Sequence, residues 1–185
     1  MHLNPYGEDP VRLAVELASA PPSTADELTA RCVAAGVVVE RPGTDGDVAE
    51  VAEFLERWLA VVDAAENRQR ARLLNALLAE SSSSPRLTDH SGNGWHIHYR
   101  DADMPLAGVL RALISVGTAL HLSGRGMDRL HRCALADCHR PFADFTRGGR
   151  QRYCSPQCAN RDAVRRHRAR TDRGPRASRT VGAMR

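Results

Sequence analysis

CALADCHRPFADFTRGGRQRYCSPQC, residues 133–158, is the stretch whose reading decides the architecture. Its cysteines fall at Cys133, Cys138, Cys154 and Cys158, a C-x4-C-x15-C-x3-C spacing. Two close pairs at this separation can bring four sulfurs to one point, as tetrahedral structural zinc requires. Four thiolates close the coordination shell and leave no open position for catalysis. Three other readings compete. The cysteines could be small buried hydrophobes; His131, His139 or His167 could replace one sulfur; or the same thiolates could hold an iron–sulfur cluster. The fifth cysteine, Cys32, stands alone in a helical segment and reads as a packing residue. An odd count with two tight pairs suits metal binding in a reducing compartment better than a disulfide framework.

The flanks supply local structure. Ala134–Asp137 is a short turn that can point two thiolates the same way. Pro141–Tyr153 has room for a tight hairpin with Gly148-Gly149 as its turn. Ser155 can cap a helix and Pro156 suits its first position. Cys158 then falls in the first turn, where a helix N-terminus stabilises thiolate charge. Turn, hairpin and helix together outline a treble-clef-like finger.

Charge divides the chain at the same place. Residues 1–138 hold 13 Arg and 19 acids, a net of −6, whereas residues 139–185 hold 13 Arg and three acids, a net of +10. There is no lysine, so the choice of Arg over Lys carries no weight. A helix from Pro156 places Arg161, Arg165 and Arg168 on one stripe and Arg166, Arg170 and Arg173 on its neighbour. Arg147, Arg150 and Arg152 add charge from the expected hairpin. Contacts of this kind to phosphates supply most non-specific nucleic-acid affinity. Arg161, near the helix start, can reach a base edge. Asn160, beside a metal ligand, reads as a structural residue that hydrogen-bonds locally and holds the knuckle. The competing readings are arginines that merely solvate an exposed helix, or a finger that binds another protein. The concentration of charge on one small module favours nucleic acid. Residues 172–185 read as a basic, disordered tail.

These residues resemble a known zinc-finger family named for a C-G-N-R signature, present here as Cys158-Ala159-Asn160-Arg161. The C-x4-C pair, Phe142, Asp144, Thr146-Arg147, Arg150, Arg152, Tyr153-Cys154-Ser155 and His167-Arg168 also match. Ala159 stands where the family has Gly, a mild change inside a helix. Proteins of this CGNR family usually carry an upstream ABATE domain and are described as stress-induced transcription regulators. Leu13–Ala20, Asp26–Gly36 and Trp95–Tyr99 with its His-x-His look similar to that domain. The family's Asn-Thr pair is replaced here by Ser19-Ala20. The resemblance implies a zinc-binding, DNA-associated regulator.

Upstream, apolar periodicity predicts helices over Val11–Ala20, from a Ser23 or Thr24 cap to Gly36, and from Asp47 onward as one long helix or two joined near Asp63. Val37–Val39 reads as a short extended piece, and Trp58 with its leucine stripes as core. A hairpin is predicted around Ser91-Gly92-Asn93-Gly94, with Trp95, Ile97 and Tyr99 on one face and His96 and His98 on the other. Asp103 is expected to cap the next helix, with Pro105 in its first turn and glycines at 124 and 126 ending it. His96 and His98 could bind metal or transfer protons, the basis of a metal-dependent-enzyme reading, but no carboxylate pair of motif quality accompanies them. Phosphate-loop, serine-nucleophile and H-E-x-x-H motifs are absent from the sequence.

The expected fold class is α+β: a mostly helical N-terminal domain with a small β-hairpin (1–128), a treble-clef-like zinc finger (129–171) and the tail (172–185). The expected function is a cytoplasmic, non-enzymatic, zinc-dependent DNA-binding regulator; the alternatives are a protein-interaction adaptor and the enzyme. A small-molecule effector in the N-terminal domain and a homo-oligomer are both compatible with it. No signal peptide is read at Met1–Pro10, and no apolar run of membrane-spanning length is read anywhere.

Overall fold

The computed structural model describes residues 7–89 and 95–171, and one helix, α5 (Leu106–Arg125), organises the rest. Its residues 106, 107, 109, 110, 112, 114–118, 121 and 122 are all buried. By length and composition α5 is able to cross a bilayer, contrary to the expectation that no such run exists, but 72% of its apolar window lies inside the protein. It is the core helix of a bundle formed with α1 (Glu8–Ser19), α3 (Asp45–Asp63) and α4 (Asn67–Ser81), while α2 (Ala25–Ala34) packs on α3. Trp58 of α3 is fully buried, and its indole N–H donates to Thr118 Oγ1 of α5 at 3.0 Å. At the crossing of α1 with α5 the backbones come very near, since a Cβ on Gly117 would stand 2.6 Å from Pro10 Cβ.

Short-range signals set most helix ends. Thr24 caps α2 by accepting from Glu27 N. At the other end the Val37 N–H donates to Cys32 O and the Gly36 N–H to Val33 O, both at 2.9 Å, with Gly36 at φ 76. This is the Schellman arrangement. It turns the chain without forming a strand at Val37–Val39.

Two ends are set by residues far away in sequence. Asp103 does not cap α5: it sits at φ 58, and Pro105 takes the N-cap position. The cap comes from Asp47, which closes a capping box with Thr44 on α3 and also accepts the Ala107 N–H at 2.8 Å. The pattern from Asp47 to Ser81 divides into two helices, and buried Arg70 holds the junction. Its guanidinium donates to the carbonyls of Val61 (3.1 Å), Val62 (3.2 Å) and Ala64 (2.8 Å), and also to Met127 O. Carbonyls at the α3 C-terminus, which have no partner within the helix, are thus satisfied by one fork of donors.

Strands β1 (Arg86–Thr88) and β2 (His96–His98) pair antiparallel, with Arg86 opposite His98, Leu87 opposite Ile97 and Thr88 opposite His96. The expected turn at 91–94 lies outside the described residues. A second hairpin, β3 (Leu130–Arg132) with β4 (Pro141–Ala143), docks on α3 and α1, and the long helix α6 (Pro156–Thr171) follows. The main core extends across residues 128/129, since Leu130 and Ala143 belong to the same buried cluster as Trp58 and Leu110. Arg132 clamps Asp63 at 2.7 and 2.8 Å, and Arg12 lies 3.9 Å over the Phe145 ring.

The buried polar residues lead to two expectations. Arg70→Met should lower the unfolding free energy by about 3 kcal/mol, because it strands buried carbonyls that now accept from a charged donor; urea titration measures it. Burial pushes the Asp47 carboxyl up, but bonds from Ala107 and Thr44 outweigh it and hold it below the ordinary carboxylate range. A depressed folded value means stability that is present above the unfolded value of about 3.9 and is lost as pH falls through the folded one. Asp47→Asn should therefore be less stable than wild type at pH 7, with the gap closing below about pH 4 in pH-dependent melts.

Candidate metal centre

The register of β3 with β4 places residues 133–140 in the loop between them, so the first cysteine pair sits in that loop. Cys133 N–H donates to Arg140 O at 2.9 Å and Cys138 N–H to Leu135 O at 3.0 Å, tightening it into a knuckle. Leu135 is buried there with Cys133 and Cys158, and Tyr153 packs against them. The hairpin expected within Pro141–Tyr153 is therefore displaced: β4 pairs backward with β3, and no strand follows it among the described residues. Asp144 is the reason. Fully buried, it accepts from Thr146 N (2.8 Å), Thr146 Oγ1 (2.6 Å) and Gln151 N (2.8 Å), with Arg129 at 3.8 Å. One carboxylate thus folds 144–151 into a loop. A Cβ on Gly149 would meet the Arg129 guanidinium at 2.6 Å.

The loop returns the second pair to the knuckle. Ala134 N–H donates to Arg152 O at 2.8 Å, and Cys154 N–H approaches Cys133 Sγ at 3.5 Å. Ser155 caps α6 as expected, its Oγ accepting the Cys158 N–H at 3.2 Å. All four sulfurs lie within 4.8 Å of one another. Cys138 to Cys154 and Cys154 to Cys158 measure 3.6 Å, and Cys158 to Cys138 measures 3.7 Å. Zinc–sulfur bonds of about 2.3 Å in a tetrahedron require sulfurs about 3.8 Å apart, so the set fits one zinc ion. A multinuclear cluster would sit between its thiolates and spread them wider. None of His131, His139 or His167 joins the converging group, and the His131 ring stacks against Phe142 instead, at 5.4 Å between centroids.

The converging sulfurs also shift one another. Burial and neighbouring sulfurs push the Cys154 thiol up to about 12, whereas the Ser155 hydroxyl and the other sulfurs hold Cys158 below its ordinary value. Several thiolates this close repel each other, and a divalent cation compensates them. Cys32 is distinct: it is fully buried in the main core and pushed up to about 11 by burial, as suits an inert packing residue.

The helix leaving the metal centre is almost bare. Its buried residues are Cys158 and Asp162, and from Ala163 to Thr171 every side chain is exposed. Asp162 accepts from the Tyr153 hydroxyl at 2.7 Å and pairs with Arg165 (2.6 Å) and Arg166 (2.9 Å). Arg161 pairs with Asp137 of the knuckle. Arg168, Arg147, Arg150 and Arg152 are exposed and form no ion pair among the described residues. Ser155, Asp144 and Asp162 make the anchoring hydrogen bonds of the finger. The Asn160 side chain makes none among the described residues. It lines a shallow groove between knuckle and helix with Leu135, Asp137, Arg161, Val164 and Arg168.

Residues 129–171 match the family model of the CGNR zinc finger. The matched segment begins at the hairpin that frames the first cysteine pair and ends with α6. The upstream body, residues 7–128, lies outside the match. No match was found among curated proteins.

Changing Cys158 to Ser should remove zinc. Elemental analysis should then fall from one zinc per chain to well below that, and the circular-dichroism signal of α6 should be lost. A full zinc complement in this variant would contradict the four-sulfur site. Because the ligands must be deprotonated, zinc should also leave as pH is lowered.

Proposed function

We propose that the zinc finger binds DNA and that the chain acts as a transcription regulator without catalytic activity. The observation that carries the reading is α6 beyond Asp162: a helix exposed on every side, with Arg165, Arg166, Arg168 and Arg170 on it. A helix this short is marginal in water by itself, and clustered like charges weaken it further. Its anchorage at Cys158 and at the Asp162–Tyr153 bond lets it persist as a cationic rod. Phosphates are the natural complement of such a surface.

The acids of the finger fix directions. Asp162 draws Arg165 and Arg166 to one side of the helix, and Asp137 draws Arg161 toward the knuckle groove. In this reading Arg165, Arg166, Arg168, Arg147, Arg150 and Arg152 meet phosphates. Asn160 and Arg161, at the groove, then meet base edges. A saturated thiolate shell leaves zinc no position for substrate, which supports binding over catalysis. The stress-linked role is what the resemblance implies, whereas the cytoplasmic location and an effector in the helical body are expectations of the sequence alone.

The test is a titration of the zinc-loaded protein with duplex DNA across a range of salt. Arg165→Ala with Arg166→Ala should weaken binding about equally on all sequences. The logarithmic salt slope should become shallower by about 1.8, or about 0.9 for each phosphate no longer neutralised. Unchanged affinity and slope would refute the proposal and favour a protein-binding adaptor.

A further inference from the structure

We propose that His96 and His98 form a second, exchangeable site for a first-row divalent cation, copper(II) or nickel(II) in preference to zinc. The two imidazoles stand at i and i+2 of β2 and so share one face of the strand. Their Nε2 atoms converge to 3.0 Å, with ring centroids 4.8 Å apart and planes inclined at 60°. Two bare lone pairs do not sit this close. Either one ring's N–H donates to the other nitrogen, or a cation takes the place of that proton.

The spacing selects among metals. With metal–nitrogen bonds of about 2.0–2.1 Å, a 3.0 Å separation of the two nitrogens subtends roughly 95° at the metal. That is the cis angle of a tetragonal or octahedral shell, narrower than a tetrahedron's. Copper(II) and nickel(II) prefer such shells with imidazole nitrogen. Among the described residues the pair supplies two ligands, fewer than the four thiolates that lock the other centre, so the bound ion can exchange. No cysteine or carboxylate extends the pair into a larger set among the described residues.

The surroundings tolerate the added charge. Thr88 lies opposite His96 on the ladder, and Arg86 lies opposite His98. The Arg86 guanidinium is turned to Arg100 O at 2.9 Å and to Asp101 at 3.9 Å, and Arg100 pairs with Glu40 at 3.7 Å. Each arginine thus has a carboxylate beside it. Both imidazoles are half-buried, which limits their freedom. The site is independent of the nucleic-acid reading and of the cysteine centre.

The probe is nickel(II) added to the zinc-loaded full chain, followed by calorimetry and by elemental analysis of retained zinc. One nickel should bind per chain while the zinc stays. His96→Ala and His98→Ala should each weaken uptake at least tenfold with zinc content and circular dichroism unchanged. As a second measurement, substoichiometric copper(II) should give an electron paramagnetic resonance spectrum with two nitrogen ligands. Absent uptake, uptake matched by zinc release, undiminished binding by either single variant, or a copper spectrum with fewer than two nitrogens would overturn the site.

Discussion

Four sulfurs meeting within 4.8 Å are the constraint on which the C-terminal third depends. The finger's own apolar cluster is Cys133, Leu135 and Cys158, with Cys138, Tyr153 and Cys154 packed against it. That is too little apolar surface to offset the conformational entropy of ordering the knuckle, the loop and the first turn of α6. Structural zinc contributes on the order of 10 kcal/mol in comparable small modules. Metal binding is therefore expected to order this segment. Helix α6 inherits its position from it through Cys158, with Ser155 as cap and Asp162–Tyr153 as a second tether.

What is legible in the sequence is chiefly local. Cysteine spacing identifies the metal centre because ligand geometry restricts spacing so strongly. Ser155-Pro156 marks the start of α6, Thr24 that of α2, and Gly36 the end of α2, each through backbone chemistry acting within a few residues. The α+β class follows from helical periodicity interrupted by the alternating stretch at 95–99. The finger's identity is also legible, and the family model covers residues 129–171.

What escapes a sequence reading is held by long-range polar contacts. Nothing near Asp103 reveals that Asp47, on another helix, caps α5. Arg70 reads as one more charge in a polar stretch, yet it is buried and closes the break between α3 and α4. Gly148-Gly149 is a strong turn signal and puts the hairpin in the wrong place; the decisive residue is Asp144, whose carboxylate gathers the loop. Alternation sorts the faces of β2 correctly, but it does not show that the apolar side, with Leu87, Trp95 and Ile97, stays largely exposed.

The β3–β4 hairpin serves two masters. One end frames the thiolates; its flank contributes Leu130 and Ala143 to the interior shared with Trp58. A polypeptide trimmed to begin at residue 129 would carry that flank naked into water, so its solubility would reflect a severed seam and not the finger itself. The hairpin is a rivet between two plates.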